Sequence, residues 1–181
     1  SANVGGALLP IAINGTVNRS HATALPDAAT ITAAFGAAPQ VAAALADGQT
    51  VGIGTMSAGY LQGPSWPPGT DVQSVVLSAN FQFLTEAPGV LVFGLLGSEW
   101  YNAGFGQLDL TISNHGVDLF SRSFDSVADA RSFFSDHALN LGALAAGEQD
   151  LLLTAGFTSS EVGAFGFQYA FGVSPVPEPQ T

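Results

Sequence analysis

The feature that most constrains this chain is the alternation of apolar side chains with polar or very small ones in its second half. The clearest run covers residues 165–173, where every second residue is large and apolar. Similar runs cover residues 75–83 and 108–113, and the second of these leads into Asn114-His115-Gly116, a turn that predicts a hairpin to residues 117–124. Because successive side chains of a strand point to opposite faces, a period of two predicts half-buried β-strands.

Other segments extend this pattern to a whole domain. Residues 90–96 are apolar at every position except Gly94, which predicts a central strand covered on both faces. Residues 151–157 predict a further strand, and residues 28–34 and 51–58 predict strands of small residues. Many short strands separated by Gly and Pro turns predict an all-β protein, an antiparallel β-sandwich with a jelly-roll-like order. We assign residues 1–173 to this single domain, since 181 residues suit one core.

One short helix is predicted near residues 127–136. Ser126 is the expected N-cap, Asp129 follows three residues later, and Val127, Ala130 and Phe133 fall on one apolar stripe. Residues 39–47 allow two interpretations, a helix that begins with a proline and closes at a glycine, or an Ala-rich strand.

The N-terminal segment matches the rest of the chain poorly. Residues 8–17 predict a strand that Pro10 interrupts, and proline confines a strand to the edge of a sheet. Residues 1–17 therefore fit either an edge strand or a strand donated to a neighbouring molecule. Residues 63–69, rich in Pro and Gly, predict a loop.

Charge and cysteine content exclude several classes of function. The chain has 14 acidic residues, three arginines and no lysine, and a net charge of -11 opposes binding to nucleic acid. No apolar run approaches the roughly 18 residues that span a bilayer, so no membrane partner is predicted for this form of the chain. The absence of cysteine excludes disulfides, zinc–thiolate sites and thiol nucleophiles.

The C-terminal residues 174–181 contain three prolines and predict an extended tail. Within it, Val176-Pro177-Glu178-Pro179 resembles the sorting signal of the PEP-CTERM family of exported bacterial proteins. The resemblance implies export, recognition of Pro177, Glu178 and Pro179 by an exosortase, a cell-surface or secreted destination, and association with exopolysaccharide. The membrane helix and basic cluster that follow the motif in that family are not present after Pro179 in this sequence.

Residue types suited to catalysis are present without a recognisable constellation. The histidines, His21, His115 and His137, have no Gly-x-Ser-x-Gly motif beside them. The following carboxylates qualify for glycoside hydrolysis by residue type alone, and a solvated acidic face is the favoured interpretation: Glu86, Glu99, Asp109, Asp118 and Asp150. We predict a non-enzymatic protein without a cofactor. Calcium is the alternative, since Asp125, Asp129 and Asp136 flank the predicted helix without the spacing of an EF-hand.

Aromatic residues offer a second kind of site. Trp100 and Tyr101, expected in a loop that begins at Gly97, could stack on sugar rings, with Trp66 and Tyr60 as further candidates. Core packing is favoured for at least one of the two neighbours.

Asn14 and Asn18 begin triplets that match the N-glycosylation sequon. Taken together, the sequence predicts a secreted or cell-surface structural protein of the extracellular matrix that assembles with itself into fibres by strand exchange. The alternative is a carbohydrate-binding module for exopolysaccharide.

Overall fold

The computed structural model describes residues 15–18, 35–46, 48–60 and 72–175. The elements, in chain order, are β1 (Gly15–Asn18), α1 (Pro39–Leu45), β2 (Gln49–Tyr60), β3 (Gln73–Thr85), β4 (Gly89–Asn102), β5 (Gln107–Asn114), β6 (Val117–Phe124), α2 (Val127–Phe133), β7 (His137–Leu144), β8 (Gly147–Ser159) and β9 (Gly163–Pro175).

The strands form two stacked sheets in the order of a jelly roll. One sheet has the order β2-β9-β4-β7, and the other has the order β1-β3-β8-β5-β6. The antiparallel pairs are nested: β2 pairs with β9, β3 with β8 and β4 with β7, around the central hairpin of β5 and β6. A chain folded back at one hairpin and distributed over two sheets in this way is a jelly roll. The predicted all-β sandwich is confirmed.

The central hairpin turns where the sequence predicted. Asn114 pairs with Val117, and the two residues between them, His115 and Gly116, have φ values of 49° and 75°. Two residues with positive φ match the twist of the flanking strands, and glycine adopts this conformation without strain.

Aromatic rings fill the space between the sheets. The inward residues of β9 from Phe165 to Phe171 are buried, and the ring of Phe171 lies 4.8 Å from that of Phe81 on β3. Phe93 on β4 stacks on Tyr169 at 5.5 Å. Burial raises the pKa of the Tyr169 phenol well above its ordinary value. Each such side chain stabilises the fold by roughly 1.5–3 kcal/mol relative to an exposed position.

Helix α1 covers the outer face of the four-stranded sheet. Val41 and Leu45 are buried there in a second apolar cluster with Ile53, Val92, Leu96 and Ala170. Val41 packs directly against Gly94. A Cβ added to Gly94 would lie 2.1 Å from the Cγ1 atom of Val41. The helix interpretation of residues 39–47 is therefore correct, and the strand at residues 90–96 is covered on both faces as predicted.

The N-terminus of α1 is capped by a residue far along the chain. Oδ1 of Asp136 accepts hydrogen bonds from the main-chain N–H groups of Gln40, at 2.8 Å, and Val41, at 3.0 Å. Asp136 itself has φ 48°, a conformation that Asp tolerates better than most residues. These bonds fasten the helix to the segment between α2 and β7.

Helix α2 begins as predicted, since Oγ of Ser126 accepts a hydrogen bond from the N–H of Asp129. It ends at Phe133, earlier than the predicted boundary at Asp136.

Strand β7 was not among the predicted strands. Its pairing with β4 shifts register between Val90 and Val92, and Gly142 within it has φ 96°. This irregularity breaks the period of two on which the prediction depended. The predicted strand at residues 28–34 and the predicted loop at residues 63–69 lie outside the described residues, as does most of the predicted strand at residues 8–17.

Candidate assembly interface

The sandwich has two long sides, each formed by one edge from either sheet. On one side β2, the edge of the four-stranded sheet, contacts β3, which carries β1 at the edge of the five-stranded sheet. On the other side β6 contacts β7. We call these the β2/β3 side and the β6/β7 side.

The β6/β7 side is filled by helix α2 and a cluster of rings. Phe134 is fully buried, with its ring 4.4 Å from that of Phe167 and 5.5 Å from that of Phe124. The ring of Phe133 packs against Phe134 at 5.6 Å and against His137 at 4.6 Å. The guanidinium of Arg122 lies over the ring of Phe133, 4.4 Å from its centroid.

The two edge strands of this side are short and irregular. Strands β6 and β7 have eight residues each, and each contains a register shift, at Asp118 to Phe120 in β6 and at Asn140 to Ala143 in β7. Strand β6 also carries the charges of Asp118 and Arg122. Bulges, short length and charge are the devices by which proteins prevent an edge strand from pairing with another chain.

The β2/β3 side lacks these devices in the sequence of its strands. Strand β2 has 12 residues and β3 has 13, and neither contains Asp, Glu, Lys, Arg, His or Pro. Strand β3 keeps one register with β8 along its whole length, and β2 keeps one register with β9 over residues 52–60. Long, regular, uncharged edges present rows of main-chain hydrogen-bonding groups that another strand can use.

Strand β1 already uses part of this side. Its four residues pair with β3 from Gly15 opposite Val75 to Asn18 opposite Ser78. The pairing is parallel, whereas every other strand pair in the described part of the chain is antiparallel. The predicted edge strand of the N-terminal segment thus ends on the edge of β3, and the seven residues from Ala79 to Thr85 have no described strand on that side.

Strand β2 is held against its neighbour by aromatic rings. A Cβ added to Gly52 would lie 2.4 Å from Cε1 of Phe171, and one added to Gly54 would lie 2.5 Å from the hydroxyl of Tyr169. The two rings therefore occupy the space where inward side chains of β2 would stand. Glycine at these positions allows the edge strand to approach β9 closely.

The predicted aromatic pair is arranged differently from the expectation. Trp100 and Tyr101 do not lie in a loop beginning at Gly97, because β4 continues to Asn102 and Gly97 marks a register shift within it. Side chains of adjacent strand residues point to opposite faces, so the two rings do not form one platform. Both are exposed, and the guanidinium of Arg131 lies 3.4 Å from the centroid of the Trp100 ring.

His115 lines an open groove of about 520 Å³ with Gln82, Leu84, Glu148 and Asp150. Its Nε2 lies 2.9 Å from the main-chain oxygen of Glu148, and Oδ1 of Asp150 accepts a 2.7 Å hydrogen bond from Nδ2 of Asn80. These partners fasten the β5–β6 hairpin and β3 to β8. The groove brings a histidine and two acids together, but their described hydrogen bonds go to neighbouring strands rather than to one another.

Of the acidic residues proposed for calcium, Asp136 uses its Oδ1 atom to cap α1. Within residues 15–18, 35–46, 48–60 and 72–175, no group of three or more acidic or histidine side chains could hold a metal ion.

Several candidate residues lie beyond what the structure describes. His21, Trp66, Asn14 and the sorting-signal residues Pro177, Glu178 and Pro179 are outside the described ranges. Tyr60 ends β2 and Asn18 ends β1, but their side chains are not described. These predictions stay predictions.

Comparison of the chain with protein-family models, with curated proteins and with solved structures finds no match in any of the three. Among the helices that the structure describes, none has the length and apolarity needed to cross a membrane.

Proposed function

We propose that this chain is a structural protein that assembles with copies of itself, through addition of the strand at residues 15–18 to the β2/β3 side of a neighbouring sandwich. The observation behind the proposal is that β1 pairs in parallel with β3 of its own chain, over four residues only. We propose that in the assembly the β1 strand of a neighbouring copy takes this same place. Strand addition uses main-chain hydrogen bonds for affinity, and an uncharged edge accepts it without burying an unpaired charge.

The electrostatics of the chain support self-assembly at this place. Two copies with a net charge of -11 each repel one another over most of their surfaces. Strands β2 and β3 supply long uncharged edges where copies can approach at the least electrostatic cost. The β6/β7 side, with Asp118 and its two irregular strands, is a poorer place of contact.

We also propose that the assembly is extracellular. The support is the resemblance of residues 176–179 to an exported-protein sorting signal. The carbohydrate-binding alternative rests on the exposed rings of Trp100 and Tyr101. It is less favoured, because Arg131 occupies one face of Trp100 and the two rings diverge.

A cysteine pair tests the proposal directly, because the natural chain has no cysteine. Thr16 lies opposite Val76 in the β1–β3 register. Neighbouring strands are about 4.8 Å apart, within the roughly 4.4–6.8 Å that a disulfide bridges. In the Thr16→Cys/Val76→Cys variant, we expect oxidation to give a ladder of covalent oligomers on a non-reducing denaturing gel.

The matched control is Thr16→Cys/Gln82→Cys, which places the second cysteine on the same exposed face of β3 but six residues further along. It should give no ladder. A disulfide formed only within single chains would show that each β1 belongs to its own sandwich and would overturn the proposal. Polymers seen by electron microscopy should also disappear when residues 1–18 are deleted.

A further inference from the structure

In the described part of the chain, strand β2 is the edge of the four-stranded sheet, which β1 does not touch. Among the described residues its only strand partner is β9. After the register shift between Thr50 and Gly52, the strand runs regularly to its end at Tyr60. Its sequence, QTVGIGTMSAGY, contains no charged residue and no proline. An edge of this length and regularity is one that soluble proteins ordinarily interrupt or charge.

The side chains of β2 leave room for another strand. The outward residues Thr55 and Ser57 are short, polar and exposed. On the inward face, the rings of Phe171 and Tyr169 fill the space above Gly52 and Gly54, and the side chain of Met56 is buried in the core. A second strand can therefore approach the free edge without displacing bulky groups.

The charge of the chain indicates which strand would pair there. A partner with a large acidic surface, such as a second copy, meets least repulsion where charge is absent, and β2 supplies that strip. The strand also satisfies the condition for a two-fold interface. An edge paired with itself must be antiparallel, and a run without charges contains no like-charged pair to face its own copy.

We propose that the β2 edges of two copies pair antiparallel about a two-fold axis. The pairing joins two four-stranded sheets into one continuous eight-stranded sheet. It is separate from the addition of β1, which takes place on the other sheet. With both contacts present, β1 links sandwiches along a fibre and β2 links fibres side by side.

The experiment places lysines on β2 in the full chain. Thr55→Lys/Ser57→Lys places two positive charges on one face of each β2 strand, and a two-fold axis near Met56 brings the like charges of the two copies opposite one another. The variant also lowers the net negative charge of each copy, so a general reduction of repulsion would favour association rather than oppose it. We expect dimerisation, measured by sedimentation velocity, to weaken by about tenfold, since like charges directly opposite are destabilising.

The matched control is Ser121→Lys/Ser123→Lys, which makes the same change of charge at two exposed positions of β6. It should leave dimerisation within about twofold of the parent, because β6 lies on the other side of the sandwich. Equal loss in both variants, no loss in either, or a parent chain that forms no dimer would overturn the proposal. Near-ultraviolet circular dichroism of each variant shows whether the sandwich is intact.

The outcome is distinguishable from that of the β1 proposal. The lysines on β2 should leave the oligomer ladder of the Thr16→Cys/Val76→Cys variant unchanged. If that ladder is absent while the lysines still abolish a dimer, the β2 interface stands and the strand addition by β1 fails.

Discussion

The two long sides of the sandwich solve the same problem in opposite ways. Each side ends two sheets, and among the described residues part of each outer edge has no further strand to pair with its main-chain groups. The β6/β7 side uses short strands, register shifts, charges and helix α2, which is followed directly by the fully buried Phe134. The β2/β3 side has long uncharged strands with one register shift, near the start of β2, and among the described residues one four-residue strand pairs with its edge.

This difference teaches where the molecule can make contacts. The β6/β7 side shows that the chain contains features that prevent an edge strand from pairing. Asp118 and Arg122 put charges on β6, and Gly142 lies in the irregular part of β7. The lack of charge on β2 and β3 is therefore a property of these two strands and not of the composition as a whole. Among the described residues, the edge of β2 is uncovered while β6 and β7 are shielded, and the proposed assembly uses this difference.

The largest expected effect compares one ring from each side. Phe134→Ala removes a fully buried ring that contacts Phe165 and Phe167, and should lower the free energy of unfolding by about 3–5 kcal/mol. Phe83→Ala removes a ring that is only partly buried, 5.9 Å from Phe171, and should cost less than half as much. Denaturant unfolding under conditions that keep the chain monomeric measures both.

Equal losses of unfolding free energy in Phe134→Ala and Phe83→Ala would contradict the contrast between the two sides. They would show that the β2/β3 side is packed as tightly as the β6/β7 side, which α2 closes. If the loss of unfolding free energy in Phe83→Ala instead grows with protein concentration, the result would strengthen the contrast between the two sides. Such growth is expected if another copy covers this side in the assembled state.

Most of the fold could be predicted because its strands bury one face. Large apolar residues recur at every second position of residues 75–83 and 165–173, and the structure places these residues inward, whereas Val76 is exposed and Ala170 lies against α1 on the outer face. Strand β7 was missed because its alternation fails at the register shift near Gly142. Gly97 was interpreted as the start of a loop, yet it marks a shift inside β4, since glycine in a strand can signal a bulge as well as a break.

The location of β2 and β3 on one side of the sandwich could not be predicted from the periodicity of their residues. Whether a strand lies in the middle of a sheet or at its edge depends on pairings between distant segments, such as that of Ile53 with Ala170. Alternation looks the same in both positions. The signal that was present is the lack of charge in residues 49–60 and 73–85, and it acquires meaning only when the topology shows that both strands end on the same side.

A smaller expected effect tests how β2 packs against its neighbours on the β2/β3 side. Gly54→Ala places a Cβ 2.5 Å from the Tyr169 hydroxyl, and overpacking of this kind costs about 1–3 kcal/mol. Gly97→Ala is the matched control, because a Cβ there meets nothing within 4 Å. Both changes remove the same flexibility from the unfolded chain, so their difference isolates the clash. If the two variants unfold at the same denaturant concentration, the rings do not hold β2.

The smallest expected effect concerns Arg131 on the β6/β7 side. Arg131 on α2 lies over the ring of Trp100 near the end of β4, at 3.4 Å from the centroid, so the contact ties the helix to the four-stranded sheet. Arg131→Ala should lower the free energy of unfolding by only about 0.5–1 kcal/mol, the usual size of an exposed cation–π contact. It should also change the fluorescence of Trp100, which Trp100→Phe identifies against the signal of Trp66. The conservative variant Arg131→Lys should retain part of the stability and part of the fluorescence signal, since it keeps the cation but loses the planar stacking of the guanidinium.

A fluorescence spectrum of Arg131→Ala identical to that of the parent would show that Arg131 does not cover the ring. Trp100 would then present both faces to solvent, and the argument against sugar binding at this position would lose its main support.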